Sequence, residues 1–152
     1  MFYDCALVYN PKTLSCDLAL GADGDLRVDT TPITPMLLSV ELDRRAATDD
    51  PLPQGQSPFL TRAGIDARRG TACDCLDPDY EPVGSKCWLL ERAKQTEENR
   101  LLFTMWLEQA LSWVATETGQ AAQISVAFPR PGILQWRANV ANYTIGNNKG
   151  AA

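Results

Sequence analysis

The sequence predicts an α+β fold: an N-terminal β-hairpin, a short helix, a long irregular loop, a long amphipathic helix and a C-terminal β-hairpin. Three observations carry that expectation. Apolar and polar residues alternate with period two near both ends, over residues 14–29 and 123–140. Between 97 and 116 apolar residues recur at spacings of three and four. Residues 48–84 show neither period and are crowded with glycine and proline.

At the N-terminus, Leu14, Cys16, Leu18 and Leu20 alternate with Ser15, Asp17 and Ala19. Gly21-Ala22-Asp23-Gly24 signals a turn, and Leu26 and Val28 alternate again. The pattern predicts a hairpin over residues 14–29 with Leu26 and Val28 facing inward. Thr34 is the expected cap of a short helix with Pro35 in its first turn, ending near Ala46-Ala47. The breaker-rich 48–84 segment is an extended loop, because Phe59, Leu60, Ile65, Leu76 and Tyr80 give it apolar anchors that a linker does not need.

Ser85 is the expected cap of a helix through Lys94, packing through Trp88, Leu89 and Ala93. Thr96 restarts helix, with Glu97 and Glu98 where the helix dipole favours negative charge. That helix runs to about Thr116 and buries Phe103, Trp106, Leu107, Ala110, Leu111, Trp113 and Val114, with Gly119 as its stop. Ile124, Val126 and Phe128 form one face of a strand, and Leu134, Trp136, Ala138 and Val140 the facing one. Tyr143 and Ile145 extend the second strand, and residues 146–152 form a flexible tail.

The chain has 152 residues, a length that suits one domain spanning 1–152. Its 14 basic and 19 acidic residues leave a formal charge of −5, which argues against nucleic acid as a partner. Apolar runs are a few residues long against the ~20 that cross a bilayer, so no membrane partner is expected. The N-terminus lacks the basic and apolar regions of a signal peptide, which predicts synthesis and folding in a cytoplasm.

The sequence contains no histidine, which removes Ser-His-Asp, Cys-His and histidine-zinc chemistry within the chain. No phosphate-binding glycine motif is present, and no cofactor is expected. The five cysteines are Cys5, Cys16, Cys73, Cys75 and Cys87, an odd number. Cys73, Cys75 and Cys87 offer three soft ligands where zinc takes four, so free thiols or a disulfide among these three are the readings to weigh. Asp43-Arg44-Arg45 and Arg68-Arg69 flank the irregular loop. Arginine bonds carboxylates and backbone carbonyls with a planar fork, so these pairs are candidates for bracing the loop or for an interface.

Two stretches, in order, carry a resemblance: Leu42-Asp43-Arg44-Arg45-Ala46 and Gly84-Ser85-Lys86-Cys87-Trp88-Leu89-Leu90. With Asp66-Ala67-Arg68-Arg69-Gly70, Ala110-Leu111-Ser112-Trp113 and Ile124-Ser125-Val126, the sequence resembles the small baseplate wedge proteins of Mu-like contractile-tail phages. It is similar, more distantly, to the small wedge protein of T-even phages. Where that family has Gly-Trp-Trp-Gly-Asp, this chain has Gly70-Thr71-Ala72-Cys73-Asp74. The resemblance implies a structural virion protein, six copies per baseplate, joining the wedge complex to the first sheath ring and templating sheath assembly by strand addition. The implied partners are larger wedge proteins, the tail sheath protein and tail tube or hub proteins. The implied wedge-contact or loop-bracing residues are Asp43, Arg44, Arg45, Arg68, Arg69 and Trp88. The implied sheath-facing strand carries Ile124, Val126, Leu134, Trp136, Arg137 and Val140. The alternative is a cell-wall-degrading, lysozyme-like tail protein using Glu91 and Glu108.

Overall fold

A computed structural model describes residues 2, 4–13, 15–53, 65–75 and 82–147, without the side chains of residues 65, 66, 73 and 75. Phe59, Leu60, Leu76 and Tyr80, the Ile65 side chain and the tail beyond Asn147 lie outside what is described. Short strands β1 (Asp4–Cys5), β2 (Leu7–Asn10), β3 (Ser15–Leu18) and β4 (Val28–Asp29) precede helix α1 (Ile33–Glu41). Three short 3-10 turns follow, then helices α2 (Glu97–Ala110) and α3 (Trp113–Thr118). Strands β5 (Gln123–Arg130), β6 (Ile133–Val140) and β7 (Tyr143–Asn147) close the chain as an antiparallel sheet in that order.

The predicted α+β architecture holds, with local revisions. The terminal sheet has three strands because the chain reverses at Ala141-Asn142, so Tyr143 and Ile145 pair back onto Val140 and Ala138. Gly146 and Asn147 belong to β7 rather than to a tail. Period two is obeyed: Val126, Trp136, Ala138, Val140 and Ile145 turn inward, while Ser125, Arg137 and Thr144 stay exposed.

The long helix is split. Ser112 donates its hydroxyl to the Gln109 carbonyl at 2.9 Å, and the backbone bonds Ser112 N–H to Gln109 O and Val114 N–H to Leu111 O are of the tighter i→i−3 kind. A serine hydroxyl competing for a helix carbonyl loosens the i→i−4 ladder. Thr96 caps α2 as expected, accepting from the Asn99 N–H at 3.2 Å, and Gly119 ends α3 in the left-handed region.

Helix α1 starts one residue before Thr34, whose hydroxyl instead donates to Asp29 Oδ2 at 3.1 Å. It ends at Glu41 rather than Ala47 because Leu42 is extended and the next residues bond to distant backbone. The helix expected over 85–94 is one 3-10 turn, Cys87–Leu90. Ser85 is shared between a distant and a local partner: its hydroxyl donates to the Val40 carbonyl at 2.7 Å and accepts from the Cys87 N–H at 3.4 Å. Trp88 and Leu89 are buried, but Ala93 is exposed.

One core joins both helical layers to the terminal sheet: Met36 and Val40 of α1, Phe103 and Leu107 of α2, Leu111, Val114 of α3, and the inward residues of β5–β7. Met36, Leu107, Val114 and Val140 are its fully buried centre. A satellite cluster of Ala46, Trp88 and Leu89 packs with Leu52 and Trp106. The N-terminal strands depart most from expectation. The four-residue hairpin pairs β2 with β3, and Leu20 and Leu26 meet only as an isolated bridge. Leu26 and Val28 are 43% and 56% exposed, not inward, because this ribbon's apolar face points away from the core.

Candidate interaction site

Three stretches that are remote in sequence converge beside the satellite cluster. Arg44 N–H donates to Ser85 O and Ser85 N–H to Leu42 O, both at 2.9 Å, forming a parallel bridge between Asp43 and Ser85. Ala46 N–H donates to Arg68 O at 2.9 Å, bringing in the 67–70 segment. Parallel pairing of isolated residues is weak by itself, and side chains complete the junction.

Each arginine expected to act here does so on the chain itself. Arg44 Nε donates to Pro82 O at 3.0 Å. Arg45 Nη1 donates to Arg69 O at 3.2 Å, and Arg68 Nη2 to Thr48 O at 3.4 Å. Arg69 reaches Asp43 Oδ2 at 2.9 Å and forks onto both oxygens of Glu91 at 2.8 Å. Trp88 sits under this fork and donates its indole N–H to Arg44 O at 2.8 Å. Thus Asp43, Arg44, Arg45, Arg68, Arg69 and Trp88 form one connected knot. Outside this set, Asp74 accepts from Val83 N–H at 3.0 Å, and Lys86 pairs with Asp50 at 2.6 Å. Sequence reasoning missed both, since neither Asp50 nor Asp74 belongs to a recognisable motif.

The electrostatics match this geometry. The hydrogen bonds from Arg69 hold the Glu91 carboxyl below its ordinary value, and Glu91 in turn raises Arg69. A general acid requires the opposite shift, so Glu91 is unsuited to the hydrolase reading. Glu108 is exposed on α2.

Cys87 is a free thiol with Sγ 4.0 Å from Phe103 O. Burial pushes it up to about 12, so it stays protonated. The side chains of Cys73 and Cys75 lie outside the described set, and so does any bond between them. Of the strand candidates, Val126, Trp136 and Val140 are core residues, Ile124 and Leu134 pack against that core, and Arg137 faces outward. Among the described residues no helix is long and apolar enough to cross a membrane.

Fold and site together define an α+β scaffold whose two arginine pairs bond to its own carbonyls and carboxylates. The chain belongs to the family described as Phage protein GP46, whose model matches residues 32–148. The baseplate protein gp46 of Escherichia phage Mu is 33% identical over 108 residues, covering 70% of this chain. The chain spans 66% of the length of that relative, just under two thirds. The resemblance drawn from Leu42–Ala46 and Gly84–Leu90 is thereby borne out.

Proposed function

We propose that this protein is a structural component of a contractile phage tail baseplate, located in the virion, and that it templates the first sheath ring by strand addition to β7. The observation that supports this is an asymmetry between the two sheet margins. On the β5 margin, Arg100 of α2 donates to the Val126 carbonyl at 3.2 Å. This contact occupies an edge that a foreign strand would need. On the other margin, β7 is the last strand of the sheet. The two-residue reversal makes Val140 and Tyr143 the closing pair, and alternation then turns the backbone groups of Thr144 and Gly146 toward the open side. An edge of that kind accepts a neighbour's strand.

In this reading, the arginine knot holds a wedge-facing loop, and the partners are larger wedge proteins, the sheath protein and tube or hub proteins. Six copies encircle the tube, and residues 1–152 act as one wedge module. The kinship with the Mu baseplate protein supports the setting. Truncation before Ile133 does not test the idea, because it strips Trp136, Ala138, Val140 and Ile145 from the core. Thr144→Pro removes one outward N–H and leaves the core side chains in place. We expect tails carrying Thr144→Pro to retain the protein but fail to assemble sheath. Full-length sheath on such tails would refute strand addition at β7.

A further inference from the structure

We infer that the cleft between the 91–95 link and the tip of the β5–β6 hairpin binds a segment of another protein, taking an aromatic side chain onto its floor and a flanking carboxylate on Lys94. The cleft has a volume of about 320 Å³. Leu90, Phe103, Phe128 and Leu134 form its floor, and Lys94 and Asn99 stand on its rim. It lies past the end of β7, whose last pair is Asn147 with Trp136. It is therefore separate from the edge assigned to strand addition.

The cleft exists because the hairpin outreaches its cover. Val126 and Trp136 are buried in the core, but two residues nearer the tip Phe128 and Leu134 are only half-buried. Helix α2 begins at Glu97, and the link before it is exposed at every residue from Glu91 to Gln95. A polar link of that kind does not close over an aromatic face. The ladder also shifts here: Ala127 pairs with Gln135 and Arg130 with Ile133, so Phe128 and Pro129 oppose Leu134 alone. Such a bulge re-aims a side chain, and Phe128 lines the cleft opposite Phe103. The rim is tied in place. Gln95 donates to the Arg130 carbonyl at 3.4 Å, and the Asn99 amide to the Lys94 carbonyl at 2.7 Å. The cleft is thus formed before any ligand arrives, as binding sites generally are.

Size and charge select the occupant. An apolar void of roughly 150 Å³ takes a benzene ring, so this cleft admits an aromatic side chain with part of its backbone. Two ionised side chains line it, Glu91 and Lys94. Glu91 is already forked by Arg69. Lys94 has no carboxylate within ion-pair distance among the described residues. The uncommitted charge beside the aromatic floor is therefore positive, and it belongs to the cleft itself. A chain of net charge −5 repels acidic segments in general. An acid-flanked ring that binds here is thus chosen by this rim and not by the overall field.

The test titrates isotope-labelled protein with acetyl-Asp-Phe-Asp-amide, acetyl-Lys-Phe-Lys-amide and phenylacetate, read by NMR amide shifts. The aspartate-flanked peptide should shift amides of residues 90–103 and 128–134 and bind at least about three-fold more tightly than the lysine-flanked one. Lys94→Glu should reverse that order at an unchanged melting temperature. Ala93→Trp, which fills the cleft from its exposed rim, should abolish binding of both peptides. Equal binding of the two peptides by the unaltered protein overturns the inference, as do shifts confined to other residues. Phenylacetate binding as tightly as the aspartate-flanked peptide would make the cleft a small-molecule site and overturn the peptide assignment. A dimer in sedimentation that Ala93→Trp disperses would place a second copy in the cleft, and the inference would fall.

Discussion

The Arg69 guanidinium carbon lies 4.5 Å from the centroid of the Trp88 ring. One planar cation thereby stacks on an indole while its edge forks onto Glu91 and touches Asp43. Backbone geometry adds to the demand, since Arg69 itself has φ +50° and the next residue, Gly70, has φ +115°.

Lysine keeps the charge at this position but loses the fork and the stacking plane. Because the ion pairs are about a third to a half exposed, screening limits their worth, and Arg69→Lys should cost about 1 kcal/mol. Urea unfolding monitored by tryptophan emission reads both the loss and the altered surroundings of Trp88. A midpoint identical to that of the unaltered protein would show the stack to be inert.

Two positive-φ positions should respond in opposite directions. Gly84 has φ +96°, and a Cβ there would collide with the Leu42 carbonyl inside the parallel bridge. Gly84→Ala should therefore cost about 3 kcal/mol or more. Ala141, exposed in the β6–β7 reversal, has φ +51°. Asparagine tolerates that region better than alanine, so Ala141→Asn should gain about 0.5 kcal/mol. Calorimetric melting of both variants checks the two signs together.

Acid should weaken the knot over a defined range. Glu91 is held below its usual value of 4.5 by Arg69. At Asp29, burial pushes upward from 3.8, but hydrogen bonds from Thr31 and Thr34 outweigh it and lower the net value. Groups with depressed folded values contribute stability that is present above their unfolded values. That contribution is lost as pH falls through the folded ones. Stability should thus hold from neutrality to about pH 4.5 and decline below it. Glu91→Gln should be less stable at pH 7 and show a shallower acid decline. Parallel acid slopes for the two proteins would contradict this assignment.

Native-state alkylation should separate the thiols. Cys16 is exposed, whereas Cys87 is half-buried and protonated up to about 12. Because the thiolate is the nucleophile, iodoacetamide at pH 8 should label Cys16 readily and Cys87 only after denaturation. Peptide mass mapping before and after urea gives the comparison.

The regular elements were legible wherever a residue's partner is the chain's own core. Val126, Trp136, Ala138 and Val140 obey period two because α2 and α1 cover one side of their sheet. Leu107 and Val114 obey helical spacing for the same reason. The pattern at Leu26 and Val28 was equally regular, yet their direction was read backwards. Alternation reports that a face is apolar, not whether the protein covers it. Thr34 failed as a cap because its hydroxyl serves Asp29, and Ser85 meets only one short turn through Cys87 while its hydroxyl also serves Val40, 45 positions away, a partner that local pattern does not encode. The arginine pairs were recognisable as bracing candidates, but Asp50 and Asp74 were not, since a loop aspartate gains its role only from folding.

The knot at Leu42–Ala46 also fixes how the irregular region is organised. The chain leaves this point after Ala46, returns at Arg68–Gly70, leaves again, and returns at Pro82–Ser85. The chain is thus closed twice on one stem, each closure a leaf between described anchor residues. Doubling the length of a loop raises the cost of closing it by only about 0.6 kcal/mol. Each leaf can therefore be lengthened, shortened or exchanged with little effect on the stem, letting the scaffold stay constant while the outline it offers to neighbours changes.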